Sequence, residues 1–262
     1  MSLQKRIKKI IYGIIFFLVI IVIWQLASVY VDKSLFLPSP AKTILMVKEL
    51  YSTGALWKHL GYSFYRVTFA VCVTGVISVP LGMAIAWYRP IRAVFKPIIN
   101  ALRFIPVTAF SPILILILGI EESMKITFLI IATLFSFLPT VIQTCQEAVE
   151  KPNDKLAETA YTMGFSYTRC IFHVLIPYVT PSLLKSFITL YGVGWTFVII
   201  AEVTNTQYGL GHLMYIGSAR GRTDMVFAAL LIVIVVSFLF DKVANFIINK
   251  KFAWRYEKNE DK

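Results

Sequence analysis

Long runs without a charged residue alternate with short clusters of Lys and Arg along this chain. An α-helix rises about 1.5 Å per residue, so crossing about 30 Å of hydrocarbon takes roughly 20 apolar residues. Six predicted spans result, residues 10–31, 67–88, 104–120, 126–146, 186–202 and 225–248, of which the fifth ends at Glu202 and the last continues through Asp241 and Lys242. The pattern predicts an all-α polytopic membrane protein with six transmembrane helices, in one domain covering residues 1–262.

The basic residues orient these spans. If the N-terminus is inside, 17 of the 26 Lys and Arg residues lie in cytoplasmic segments and 8 in external ones. Cytoplasmic loops carry the excess of positive charge, so both termini are predicted to be cytoplasmic. The formal charge of +12 then reflects membrane topology and lipid contact instead of a nucleic-acid surface. The first run, at 22 residues, exceeds a signal-peptide core and is read as a retained span.

Composition indicates the class of protein and limits the kinds of functional site that the chain can contain. Apolar residues make up 58% of the chain and charged residues 15%, which fits a membrane protein better than a soluble domain. Cys72, Cys145 and Cys170 lie far apart, and the three histidines form no ligand motif. The sequence therefore predicts no metal, no cofactor and no catalytic site in this chain, which is not expected to be an enzyme.

Glycine and proline mark special places in and between the spans. Gly75, Ser78 and Gly82 form a small face on the second span, and Gly192 and Gly194 do the same on the fifth, so close helix approach is expected there. The external segment 32–65 opens with Leu37-Pro38-Ser39-Pro40, and apolar residues at helical spacing then predict a surface helix. Those residues are Ile44, Val47, Leu50 and Tyr51.

The internal segment 147–184 has a pattern of its own. Apolar residues at helical spacing predict a short helix there, namely Leu156, Ala160 and Met163. Gly164 is a natural helix stop because glycine tolerates the left-handed conformation. Ser166 is expected to cap a second short helix, which Pro177 is expected to end. Two short helices joined at a sharp bend would project from the spans and require a partner groove.

The spacing E-x-A-x3-G-x9-V-x-I-P, from Glu158 to Pro177, resembles the EAA loop of ABC importer permeases, with Thr159 in place of the usual first alanine. In that family the loop docks in a cleft of the cytoplasmic ATPase and transmits its closure to the spans. The resemblance assigns this coupling role to Glu158, Ala160, Gly164, Ser166 and Pro177.

The likeness extends from about residue 37 to residue 241 and points to the nitrate, sulfonate and taurine branch of these permeases. Its motifs are Leu37-Pro38-Ser39-Pro40, Ser63 with Arg66, Arg103 with Pro106 and Pro112, Trp195, Ala201-Glu202 and Gly209-Leu210-Gly211. That branch also carries importers of bicarbonate and of vitamin or pyrimidine precursors, so the solute stays open.

The resemblance implies an importer type I-like fold in the bacterial inner membrane, and a set of partners. They are two ABC ATPase subunits that bind ATP and Mg, an external solute-binding protein and a second permease copy, expected to form a homodimer. A sister permease would serve equally.

Charged groups at membrane depth are the remaining candidates. They cost at least about 2.5–3.5 kcal/mol at the bilayer centre and normally face protein or water. Arg66, Arg103 and Glu202, together with Trp195, are therefore candidate pathway or gate residues. Interfacial anchoring or a structural ion pair is the alternative role for these charges.

The chain has no phosphate-binding glycine motif, so energy must come from a partner or a gradient. A gradient-driven secondary transporter usually has internal repeats and midplane carboxylates. A membrane enzyme would need converging Asp, His, Ser or metal groups. Neither set is found, and the expected function is the permease subunit of an ATP-driven importer working by alternating access.

Overall fold

The computed structural model describes residues 3–30, 36–102, 104–150, 156–204 and 207–253. Within these ranges the regular structure is helical. The first helices are α1 (Leu3–Tyr30), α2 (Pro40–Ser52), α3 (Ala55–Trp87), α4 (Arg89–Leu102) and α5 (Phe110–Leu118). Then come α6 (Glu122–Glu150), α7 (Leu156–Thr162), α8 (Tyr167–Cys170), α9 (Ile176–Val203), α10 (Leu210–Ala219) and α11 (Thr223–Lys251). A 3₁₀ turn over Val107–Ala109 precedes α5, and a π-helical segment over Ile171–Leu175 precedes α9.

Among the described residues, five helices are long and apolar enough to cross a membrane. They are Ile11–Tyr30, Ala55–Trp87, Glu122–Ala148, Tyr167–Val203 and Thr223–Lys251. All-α membrane architecture is therefore confirmed. The surface segment also forms a helix as predicted, since α2 begins at Pro40 after its N-cap Ser39, whose side chain accepts a hydrogen bond from the Lys42 backbone N–H at 3.3 Å.

The third predicted span, residues 104–120, is shorter than expected. Its helical part is Val107–Leu118, which at 1.5 Å per residue covers only about 18 Å. Pro106 precedes the 3₁₀ turn, and Gly119, at φ 70°, ends α5. A proline and a left-handed glycine thus shorten an apolar run that carries no charge. The count of six spans and the orientation of the termini stay predictions.

The second span begins earlier than predicted. Helix α3 starts at Ala55 and has 33 residues, whereas the uncharged run begins only after Arg66. A span predicted from uncharged residues alone is bounded by the nearest charged residue. Helix α3 nevertheless continues through Arg66, because acidic partners neutralise that side chain. The fifth span is likewise longer than predicted, since α9 begins ten residues before residue 186.

The chain divides into two compact units, one formed by residues 1–62 and 206–234 and the other by residues 63–205 and 235–262. In the first unit, Trp24 of α1 donates a hydrogen bond from Nε1 to the Pro38 carbonyl at 3.0 Å and stacks on Phe227. Arg222 joins Asp224 at 3.0 Å and Glu49 at 3.8 Å. Hydrogen bonding to Asp224 raises the pKa of the Arg222 guanidinium.

The second unit is built on α3, α6 and α9, which pack closely where small residues allow it. A Cβ at Gly75 would lie 2.6 Å from the Phe187 ring, and one at Gly82 would lie 2.5 Å from Val141. A Cβ at Gly194 would lie 3.0 Å from Val67, whereas Gly192 has nothing within 4 Å. The predicted close approach is confirmed at the first three glycines and wrong for Gly192.

The internal segment differs from its prediction at Pro177. The chain stays helical from Tyr167 through the π segment into α9, so Pro177 does not end a helix. Instead it lies within this continuous helix, two residues after the π segment ends at Leu175. The wide π turn just before it changes the hydrogen-bond register and accommodates the proline.

Candidate functional site

The bend between α7 and α8 has the geometry that its sequence predicts. Gly164 adopts φ +83°, a conformation that residues with a side chain rarely take. The Phe165 N–H donates to the Ala160 carbonyl at 3.0 Å, as in a Schellman motif. Ser166 occupies the N-cap position of α8 with extended backbone, but its hydroxyl makes no capping hydrogen bond. Glycine therefore fixes this turn, and serine contributes its backbone.

The two faces of this bend differ in exposure. Ala160 and Cys170 are buried on the inner side. Glu158 is exposed, and Met163 is 73% exposed. Tyr161 is 43% exposed, and desolvation raises the pKa of its phenol. The bend thus presents an apolar surface beside a carboxylate, defined here as the α7–α8 surface.

Two hydrogen bonds connect α8 to the ends of the long helices. The Tyr167 hydroxyl donates to the backbone carbonyl of Trp87, the last residue of α3. The Trp87 indole Nε1 donates to the Cys145 carbonyl of α6 at 3.1 Å. The Tyr167 ring also meets the Tyr88 ring edge-on, with centroids 5.7 Å apart. α8 is therefore in direct contact with α3 and is connected through Trp87 to α6.

Two of the charged candidates, Arg66 and Glu202, meet near the start of α6 and the end of α9. Arg66 Nη1 donates to Glu202 Oε1 at 2.7 Å, and its Nη2 donates to Glu122 Oε2 at 2.8 Å. Ser63 Oγ lies 2.8 Å from both oxygens of Glu202. Lys125 Nζ stands 3.8 Å from Glu122. We call these five residues the ion cluster; its two cations and two carboxylates balance.

Burial separates the members of the ion cluster. Glu202 is 0% exposed and Arg66 2%, while the Glu122 side chain is 43% exposed. A fully buried carboxylate requires a cation and hydrogen bonds, and Arg66 with Ser63 supplies them. The sequence indicates Arg66 and Glu202 but does not single out Glu122 or Lys125, of which only Lys125 bounds a predicted span.

The other candidates lie apart. Trp195 of α9 is buried, with its ring edge-on to Tyr191 at 6.4 Å. Arg103 lies outside the described residues. Among the residues that the structure describes, no three His, Cys, Asp or Glu side chains come together as a metal site requires. Sequence reasoning also missed α4, although apolar residues at Ile91, Val94 and Ile98 recur at helical spacing.

Comparison with known proteins identifies the family to which this chain belongs. Residues 78–252 match the family model of the binding-protein-dependent transport system inner membrane component. The chain is 29% identical over 244 residues to a putative aliphatic sulfonates transport permease of Bacillus subtilis, covering 93% of this chain and 87% of that protein. It is 25% identical over 239 residues to the taurine transport system permease of Escherichia coli, with coverages of 89% and 86%.

A solved structure shares the fold. An inward-facing form of the MetNI methionine ABC transporter superposes with a TM-score of 0.62 at 19% identity, covering 75% of this chain and 97% of that chain. The chain belongs to the family of binding-protein-dependent transport system inner membrane components. It is a permease subunit of an ATP-driven ABC importer in the inner membrane, and it works with ABC ATPase subunits and a solute-binding protein.

Proposed function

We propose that this permease imports a small organic anion of the sulfonate class and that the α7–α8 surface couples it to the ATPase. The observation that carries the coupling role is the exposed apolar and acidic face of α7 at a glycine-fixed bend. Exposed apolar side chains outside the spans are costly unless a partner covers them. A helix inserted into a groove of the ATPase covers them.

The sulfonate class is supported by the relatives. Permeases named for aliphatic sulfonates and for taurine match over 93% and 89% of this chain. Both solutes are small molecules with a sulfonate group. Uptake of radiolabelled taurine and ethanesulfonate into vesicles that contain the cognate ATPase and binding protein tests this assignment, and transport of neither solute would reject it.

The remaining features of the assembly are six spans, both termini in the cytoplasm and pairing with a second copy of this chain. ATP hydrolysis is assigned to the partner subunit, so the purified chain alone should release no phosphate from ATP. The charge asymmetry of 17 to 8 supports the topology. Cysteines placed at Lys5 and Lys258 in a cysteine-free chain should react with impermeant reagents only in opened cells. Labelling at either position in intact cells would contradict the topology.

Substitution of Gly164 by valine tests the coupling role. Nothing lies within 4 Å of a Cβ at Gly164, so the cost inside this chain is conformational, on the order of 1 kcal/mol. A branched side chain would also obstruct the docking groove of the ATPase. We expect Gly164→Val to insert and dimerise normally, to lose most of the co-purifying ATPase and to abolish solute uptake.

Gly54 offers a matched control. It has φ +73°, and a Cβ there also meets nothing within 4 Å, but it lies between α2 and α3. Gly54→Val should carry a similar conformational cost and retain the ATPase. Normal ATPase recovery and uptake in Gly164→Val would remove the coupling role from this bend.

A further inference from the structure

A second site lies halfway along two of the spans. α6 and α9 pack side by side in opposite directions, as the Phe137–Phe187 ring contact at 5.9 Å and the Glu122 and Glu202 ends at Arg66 indicate. Between them is an open groove with a cavity volume of about 210 Å³. Its lining consists of Ser136, Phe137, Thr140, Ser186, Thr189, Leu190 and Val193.

Four hydroxyl groups converge on this groove. Ser136 lies at the middle of α6, and Thr189 lies at the middle of α9. Ser136, Thr140 and Thr189 are exposed, whereas Ser186 is half-buried. Positions at the centre of a span that faces lipid are normally apolar, as at Leu239 of α11, which is 56% exposed. The polar lining therefore indicates contact with water.

Each hydroxyl can still interact with a solute. Ser136 donates to the Ala132 carbonyl and Ser186 to the Ser182 carbonyl, both at 3.1 Å. Thr140 donates to the Ser136 carbonyl at 3.1 Å. These bonds leave the oxygen lone pairs free to accept, and a hydroxyl can rotate away from its carbonyl at small cost because the helix already satisfies that carbonyl. The groove can thus both accept and donate hydrogen bonds.

The polar row continues beyond the groove in both directions. On α9, Gly192 and Thr196 are exposed on the side toward Glu202. On α6, Gln143 is exposed one turn beyond Thr140, toward the C-terminal end of the helix. No charged residue lines the groove itself. The row therefore offers hydrogen-bonding groups along much of the spans, without a fixed charge at mid-depth.

We propose that this hydroxyl-lined groove is the midplane wall of the solute path. It would pass a small polar solute through weak hydrogen bonds and water, and it would not select for charge. This inference rests on the proposed import function and assigns to α6 and α9 a role that the buried ion cluster does not fill. A site of hydroxyls without a cation binds an anion weakly, and weak binding allows release.

The test uses the full chain with Cys72, Cys145 and Cys170 replaced by alanine, in membranes with its ATPase. Single cysteines replace Thr140 and Thr189, and the matched control at the same depth is Leu239→Cys. The probe is a charged, water-soluble methanethiosulfonate, added to spheroplasts and to inside-out vesicles. We expect Thr140→Cys and Thr189→Cys to react at least tenfold faster than Leu239→Cys from one or both sides.

Two outcomes would overturn the proposal. Rates at Thr140→Cys and Thr189→Cys equal to that at Leu239→Cys would show a lipid-facing groove. Absence of reaction together with disulfide cross-linking between two copies would show a packed interface. Co-purification of the ATPase with the same variants reports separately on the proposed function, since labelling does not depend on coupling.

A second measurement removes the hydroxyl groups while keeping the side-chain volume nearly constant. Thr140→Val combined with Thr189→Val removes two hydroxyls with little change in volume, and solute flux should fall at least fivefold while ATPase recovery stays normal. The corresponding double serine variant should retain most of the flux. Equal flux in both double variants would contradict a role for the hydroxyls.

Discussion

The ion cluster and the α7–α8 surface lie in the same compact unit but differ in the burial of their charged side chains. In the ion cluster, Arg66 and Glu202 are almost fully buried and satisfy each other. On the α7–α8 surface, Glu158 and Met163 are exposed, and in the proposed coupling role they contact the ATPase. The partners of the buried charges thus lie within the chain, whereas the proposed partner of the exposed motif is another subunit.

This difference separates stability from function. Substitutions in the ion cluster should mainly lower the free energy of unfolding, because an unpaired buried charge is strongly destabilising. Changes on the α7–α8 surface should leave folding nearly intact and act on assembly and transport. Three substitutions test this contrast, in order of their expected effect on stability.

Arg66→Met should be the most destabilising. It leaves the buried Glu202 carboxylate without its guanidinium, and loss of one partner of a buried pair costs about 3–5 kcal/mol. We expect a clear fall in the thermal unfolding midpoint of the detergent-purified chain and a smaller yield in the membrane.

The double variant Arg66→Met with Glu202→Met sharpens this test. Replacing a buried ion pair by apolar residues of similar size is often neutral, so the double variant should recover most of the midpoint. An Arg66→Met chain as stable as the original, but inactive in uptake, would instead favour a pathway or gate role for Arg66.

Tyr167→Phe should have an intermediate effect. It removes the hydroxyl that donates to the Trp87 carbonyl, at a cost of about 0.5–1.5 kcal/mol. Because this contact joins α8 to α3, we expect normal ATPase recovery but at least twice as much ATP hydrolysed per solute imported. Tyr65→Phe, at an exposed tyrosine of α3, is the control and should leave that ratio unchanged. An unchanged ratio in Tyr167→Phe would assign the contact to stability alone.

Glu158→Lys should affect stability least. Glu158 is exposed, and surface substitutions usually stay within about 0.5 kcal/mol. The charge reversal at an interface rim should nevertheless slow association with the ATPase, with a strong dependence on salt. Binding kinetics of the purified subunits at two salt concentrations provide the measurement. Glu121→Lys, an exposed reversal just before α6, is the control, and equal kinetics in both variants would argue against a rim position for Glu158.

The sequence predicts the parts of this molecule that local rules determine. Apolar length locates the membrane helices, and glycine at residue 164 locates the bend. The helix after Pro40 follows from its serine cap and its periodicity. These features depend on neighbours along the chain, so one sequence is enough to find them.

What the sequence did not predict depends on distant partners. Arg66 ends an uncharged run, but it does not end α3, because Glu122 and Glu202 neutralise it. The contact of Tyr167 with Trp87 joins residues that no spacing rule relates. The hydroxyl groove likewise forms only when α6 and α9 meet, so its members appear in the sequence as scattered serines and threonines.

The π-helical segment Ile171–Leu175 lies between the α7–α8 bend and the span α9. Such a segment holds one residue more than an α-helix needs to join the same two ends. If it tightened to α geometry, the surplus residue would turn α9 by about 100° relative to α8 and lengthen the helix by about 1.5 Å. The connection between the bend and the span therefore contains one extra residue, and a change of its helix geometry would rotate the span relative to α8.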